Sequence, residues 1–287
     1  MKNRLIKKVV PKIVGGYLNT LAVLSPSRVG KIGFDIFCTP IAPSVKPHHK
    51  AYLETGTLFN FESDGTTLQG YRWGNGERKI VFLHGWQSHS YRWKKYIQAF
   101  SQEEYSIYAF DAPAHGLSGG KYANIPLYSN AINNFFEIVG AVESVVTHSM
   151  GSISTLHALY HQNHLKMNKL VLMGSPGEAS DFISFYQNYT GLTDRTLRFI
   201  LDHFVKTMKK TPEYFSAPQF ATRVKIPGLI IHDEGDDEAP YRHAVRIHKA
   251  WTNSKLITTQ GHGHNLRSPD VIAMVKEFTE EQRALVK

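Results

Sequence analysis

The stretch VVTHSMGS, Val145–Ser152, sets Ser149 between a run of β-branched residues and the small residues Gly151 and Ser152. A hydroxyl is a weak nucleophile until a base takes its proton, and the base needs a third group to hold its tautomer. Chemistry at Ser149 therefore calls for a histidine and an acid supplied by other parts of the chain; without them the serine is no more than a helix cap. Fifteen histidines are available, so position must choose among them. Open parallel sheets gather their reactive groups at the carboxyl ends of strands, and Ser149 lies where an apolar strand turns directly into a helix. Two other groups occupy equivalent places: Asp236, in HDEGDDEAP after LIIH, and His264, in GHGHN after LITT. Asp233 and Asp237 share the acid's loop, while His262 and His232 compete with His264.

The elements that must position these groups are legible from residue 54 onward. TLFNFES and TTLQGYRW, separated by Asp64 and Gly65, predict a hairpin with a D-G turn. KIVFLHG predicts a buried strand followed by a helix over 91–100. YSIYAFDAPAHG predicts another strand, opening at Asp111 into a loop. A helix over 128–139, the strand SVVTHS, a helix from Met150 to about His161 and the strand KLVLMGS come next. PGLIIHDEG and KLITTQGHG add two strands, each leading into a helical pattern. Such alternation builds a mostly parallel sheet with helices on both faces.

Residues 176–225 interrupt that alternation with an aromatic-rich stretch and predict a helical cap or lid insertion. Within it Leu197, Leu201, Phe204, Val205 and Met208 recur at helical spacing after Thr193 and Asp194, either of which can cap a helix. A stripe of this kind serves as core or, in a lid, as the wall of a substrate pocket. The expected organisation is a basic extension over 1–50, a core over 51–175 and 226–287, and the insertion over 176–225.

Charge separates these parts. The 33 Lys and Arg against 24 Asp and Glu leave a net +9, yet residues 1–50 hold nine bases and one acid, Asp35, so the rest is nearly neutral. A nucleic-acid enzyme spreads its bases along a binding face, and neither zinc-finger spacing nor an aromatic-basic sheet motif occurs here. The opening residues carry a basic start and an apolar run, Ile13–Leu24, but Lys7, Lys8 and Lys12 interrupt the early apolar residues, Gly15 and Gly16 weaken the run, and no A-x-A-like site follows. The run is short for a membrane span. It is expected to pack on the domain as an ordinary helix; the alternative is a basic segment lying on an anionic membrane surface. The single cysteine, Cys38, permits no internal disulfide, and a cytoplasmic location is expected.

The chain resembles the α/β-hydrolase superfamily from about residue 54 to its C-terminus. THSMG resembles that family's nucleophile elbow, G-x-S-x-G, with Thr147 in place of the first glycine. The order Ser149, Asp236, His264 is the family's order of nucleophile, acid and base. The resemblance favours His264 because the base follows a G-x-G-H type loop, and Asp236 because it stands four residues before Pro240; Asp237 is the alternative acid. FLHGW resembles the oxyanion-loop motif, which implies that the backbone N–H groups of Trp86 and Met150 hold the oxyanion. DAPAHGLS resembles the loop after the next strand and is given a structural role.

The resemblance implies hydrolysis through an acyl-enzyme on Ser149, with no cofactor. The paired histidines do not complete a three-ligand zinc site, so no metal is expected. The aromatic insertion points to a small apolar acyl substrate and an esterase- or lipase-like enzyme. A thioesterase, a peptidase, a carbon–carbon bond hydrolase and a non-catalytic receptor remain alternatives on the same fold.

Overall fold

The computed structural model describes residues 2–41, 44–162 and 164–281, with side chains from residue 9 onward. The chain forms two compact units, one of Met1–Thr39 with Glu178–Ser216, the other of Pro40–Gly177 with Ala217–Lys287.

The larger unit is built on eight strands: β1 (Thr57–Ser63), β2 (Thr66–Trp73), β3 (Arg78–Leu83), β4 (Tyr105–Phe110), β5 (Val142–His148), β6 (Met167–Met173), β7 (Gly228–Asp233) and β8 (Ser254–Thr259). They lie in the order β1-β2-β4-β3-β5-β6-β7-β8. β2 is antiparallel to both neighbours, and all other pairs are parallel. The β1–β2 turn places Asp64 at φ 48° and Gly65 at φ 70°, the two left-handed residues that a twisted two-residue hairpin requires. Every residue of β7 is buried, as is nearly all of β5 and β6. Strands covered on both faces read as continuous apolar runs rather than as alternation, which is how LIIH and SVVTH read.

Eleven helices are described: α1 (Lys2–Leu24), α2 (Pro26–Phe37), α3 (Pro47–Leu53), α4 (Lys94–Ile97), α5 (Ile125–Val139), α6 (Met150–His161), α7 (Ala179–Thr190), α8 (Asp194–Met208), α9 (Ala217–Ala221), α10 (Arg242–Ala250) and α11 (Pro269–Glu280). α5 starts three residues before the sequence suggests, because the Asn124 side chain accepts from the Leu127 N–H and Pro126 suits a first turn. The helix expected over 91–100 shrinks to a 3-10 turn, Ser90–Trp93, and the single turn of α4. Its side chains are tethered instead: Trp93, Tyr96 and Ile97 are buried in the core with Phe82, Val146 and Val171.

In the smaller unit α1 and α2 pack with α7 and α8. Glycines allow backbone to meet backbone there: a Cβ on Gly15 would stand 2.0 Å from the Thr190 carbonyl oxygen, and one on Gly30 2.5 Å from that of Phe199. Asn19 joins the α7–α8 connection from both sides, donating to Gly191 O and accepting from Thr193 N. Phe34 meets Phe204 edge to face at 5.8 Å. The basic extension and the insertion, read as separate segments, thus share one unit. Its borders fall at residues 39, 178 and 216 rather than at 50, 176 and 225. Residues 40–50 and 217–225 lie in the larger unit, where α3 meets the Ser90–Trp93 turn and α9 meets α6 and α10. Charge and aromatic content do not mark those borders; packing does.

Candidate active site

β5 delivers Ser149 to a turn with φ 51° and ψ −121°, a left-handed backbone that a non-glycine residue adopts only when its surroundings impose it. The Ser149 N–H donates to Met173 O, and its own carbonyl accepts from Ser152 N, each at 2.9 Å. The neighbours must be small. A Cβ on Gly151 would lie 2.6 Å from the His84 carbonyl oxygen, and one on Gly85 2.7 Å from the Ser149 Cβ. Thr147, which stands where the elbow motif has glycine, fits because its buried hydroxyl is satisfied: it donates to Val171 O and pairs with the Ser152 hydroxyl, both at 2.8 Å.

The acid and base meet at the ends of β7 and β8. His264, in the 3-10 turn Gly263–Asn265, places Nδ1 2.8 Å from Asp236 Oδ2. An ionised carboxylate can only accept, so Nδ1 carries a proton, and in the neutral imidazole the lone pair is then on Nε2. The Asp236 side chain is fully enclosed. Burial alone would raise its pKa, but hydrogen bonds from His232, His264 and the Ala239 N–H outweigh that and hold the carboxyl well below the usual range. Its other oxygen accepts from the N–H groups of Glu238 at 3.0 Å and Ala239 at 2.8 Å. Asp237, the alternative acid, is exposed. Asp233 is committed to the loop, accepting from Thr259 Oγ1, His262 N and Gly235 N. His262 turns to Asp270 at 3.0 Å, and His232 is buried with its Nε2 N–H shared between Ala239 O at 2.6 Å and Asp236 Oδ2 at 3.3 Å.

Three consecutive carbonyls of the base's loop are each held by a different side chain. His148 Nε2 donates to His264 O at 2.7 Å, Arg92 Nη2 to Asn265 O at 3.1 Å, and the Tyr96 hydroxyl to Leu266 O. These bonds fix the backbone through Leu266, itself left-handed at φ 49°. Arg92 is buried without a carboxylate among the described residues, with its guanidinium 4.8 Å from the centre of the Trp93 ring. Burial and then the charge of Arg267 push Arg92 down to about 9, so it stays cationic at neutral pH. Burial, followed by the Arg92 charge, holds His148 neutral. The His148 and His264 rings are 4.7 Å apart. Hydrogen bonds thus join Asp236 to His264, and His264 to the residue before Ser149; among the described residues none joins His264 Nε2 to the Ser149 hydroxyl. Catalytic contacts of this kind are commonly loose until substrate arrives.

The two amides implied for the oxyanion are fixed in different ways. Met150 is the first residue of α6, so its N–H has no acceptor within the helix and lies at the positive end of the helix dipole. Trp86 follows β3 through His84 and Gly85. His84 is buried, and burial followed by His115 keeps it neutral; its Nδ1 donates to Gly85 O at 2.8 Å while Nε2 accepts from Ala112 N at 2.9 Å. The Gly85 carbonyl and the Trp86 N–H are two ends of one planar peptide. Holding the first therefore aims the second. Asp111 is the hub of its loop, accepting from Ser90 N, Leu117 N and the Tyr71 hydroxyl.

Sequence reasoning overlooked His84, His148, Arg92 and Tyr96 as positioning groups. It also overlooked Glu238, whose carboxylate stands 3.9 Å from His264 Nε2. Of these His84, His148 and Glu238 leave a signal, each adjoining a motif residue already singled out.

Sheet order together with the match to a hydrolase family model defines the class: the protein is a serine hydrolase with the α/β-hydrolase fold. Within it the chain belongs to the family described as serine aminopeptidase, S33, whose profile matches residues 74–217; the profile of TAP-like protein matches 206–281. No curated protein matches the chain by sequence. Among solved structures it is similar to a Pyrococcus furiosus esterase, at 17% identity and TM-score 0.62 over 84% of this chain and 95% of that one. It is also similar to an esterase from Exiguobacterium antarcticum, at 15% identity and TM-score 0.60 over 79% and 100%. A membrane phospholipase A described as a bacterial virulence factor aligns at 12% identity and TM-score 0.62 over 97% and 98%.

Proposed function

We propose that the protein hydrolyses ester-type bonds of small, apolar acyl substrates through an acyl-enzyme on Ser149. The observation that carries this reading is the Nδ1–Asp236 bond of His264, which leaves Nε2 free to take the serine proton. Ser149 then attacks the carbonyl, and the N–H groups of Trp86 and Met150 stabilise the oxyanion as charge develops. His264 returns the proton to the leaving alcohol. Asp236, kept ionised, stabilises the imidazolium that forms in between. Water activated by His264 releases the acid and regenerates the serine.

The aromatic-rich insertion supports an apolar acyl group, and the esterase and phospholipase likenesses accord with ester cleavage. A second reading, aminopeptidase action, is favoured by the family's description and by Glu238, an exposed carboxylate 3.9 Å from His264 Nε2 that could hold a substrate ammonium. Turnover of p-nitrophenyl esters from acetate to decanoate, acyl-coenzyme A thioesters and aminoacyl p-nitroanilides separates the readings. The expected result is ester cleavage that is lost in His264→Ala. Cleavage of anilides alone would establish the peptidase, of thioesters alone the thioesterase, and turnover of none would point to a receptor.

A further inference from the structure

α1 carries two apolar faces, and one helix packing once needs only one. Gly15, Leu18 and Ala22 are buried, recurring at helical spacing on the side that packs in the smaller unit. On the opposite side Val9, Ile13, Tyr17, Thr20 and Leu24 follow one another at steps of four, four, three and four, and all five are exposed. Ile13 is 65% exposed, Tyr17 57% and Leu24 77%. Steps of three and four keep residues on one stripe of a 3.6-residue helix, so this outer row is continuous over about 22 Å. Val10 and Val23 widen it at either end. Only Thr20 is polar in the row, and its hydroxyl donates back to Gly16 O.

The charge of α1 is equally one-sided in sequence. Lys2, Arg4, Lys7 and Lys8 stand in its first third, and the helix holds no Asp or Glu; Lys12 is engaged within the smaller unit, its Nζ donating to Asn188 O at 2.7 Å. Cations in a first helical turn oppose the helix dipole, so this placement does not serve the helix itself. It suits an anionic surface outside the protein. No helix among the described residues is long and apolar enough to cross a membrane, and a helix with an apolar row, a basic end and no span lies in the interface of a bilayer.

We propose that the outer row of α1, with its basic first third, docks the protein on anionic lipid bilayers. The exposed apolar side chains enter the headgroup–acyl boundary, and the basic composition of the segment favours an anionic leaflet, each basic residue near the surface strengthening partition about fivefold. Attachment is weakened by salt, because the lysine contribution is screened within a Debye length. The docking is independent of the reaction at Ser149.

Flotation of the full chain with vesicles tests it. The vesicles are phosphatidylcholine alone or phosphatidylcholine with one-third phosphatidylglycerol. Wild type is expected to float with the anionic vesicles, at least tenfold more weakly with neutral ones, and less as salt rises. The triple variant Ile13→Ser, Tyr17→Ser, Leu24→Ser changes only exposed side chains; it should lose at least tenfold in partition while retaining the wild-type circular dichroism. Ile138→Ser, which removes an exposed apolar side chain of the larger unit, should float as wild type does. Absence of wild-type binding to anionic vesicles at low salt overturns the proposal, as does unchanged binding by the triple variant. A triple variant that turns a wild-type dimer into a monomer by light scattering, with vesicle binding intact, would make the row a self-association face instead.

Discussion

His148 Nε2 donates to the backbone carbonyl of His264 at 2.7 Å, tying the residue before the proposed nucleophile to the proposed base. The pair sets the distance between elbow and base loop without itself meeting substrate. His148→Gln keeps an N–H near the same place and should retain kcat/KM within about threefold. His148→Phe leaves a buried carbonyl without a donor, a loss of about 1–3 kcal/mol, and should lower kcat/KM about 5- to 160-fold. Steady-state kinetics on a common ester compares them; equal rates for Phe and wild type would show that the bond does not position the base.

Asp236 and Asp237 are adjacent in sequence and opposite in environment. Asp236→Asn is expected to lower kcat about 10,000-fold, because a neutral amide no longer enforces the Nδ1–H tautomer. Asp237→Asn should stay within about twofold, as expected for an exposed substitution. The reverse ranking in a kcat comparison would assign the acid to Asp237.

Thr147 replaces the first glycine of the elbow motif, and its two hydrogen bonds make it a stabilising departure. Thr147→Gly removes them and adds a flexible residue to a buried strand, so unfolding in urea should show a loss of about 2 kcal/mol. Unchanged stability would mean that the threonine is merely tolerated.

Four buried histidines give stability a pH dependence whose sign is fixed. His84, His89, His115 and His148 are all held below the ordinary histidine value, burial being the largest cause in each. Above about pH 6.5 both folded and unfolded forms are neutral there, and the stabilisation is complete. As pH falls below 6.5 the unfolded chain takes up protons that the folded one refuses, so stability drops toward the folded values. The slope reaches about 1.4 kcal/mol per pH unit for each histidine. Asp236, also held low, adds to the loss only at still lower pH, below the unfolded carboxylate value. Urea unfolding at pH 7.5, 6.5 and 5.5 measures this; equal stability at 7.5 and 5.5 would contradict it.

What the sequence made legible follows from where physical chemistry acts locally. Strands covered on both faces must be apolar throughout, so LIIH and SVVTH were readable as strands. The groups that end them were readable as candidates by position. The choice of Asp236 over Asp237 came from a motif and not from pattern, since what separates the two in space is burial and the N–H groups of Glu238 and Ala239. Arg92 and Tyr96 were illegible as positioning groups because their acceptors are backbone carbonyls about 170 residues away. A carbonyl has no residue type to betray it. The union of α1 and α2 with the inserted helices was hidden for the same reason: Gly15 meets the backbone of Thr190, a contact that neither charge nor aromatic content announces.

The central claim is that Ser149 is an activated nucleophile served by His264, and covalent labelling tests it most directly. A fluorophosphonate should modify the folded wild-type chain at Ser149, located by mass spectrometry of the peptide. Modification should vanish in Ser149→Ala and slow sharply in His264→Ala. Labelling elsewhere, or none on a folded protein whose site admits the probe, would contradict the account.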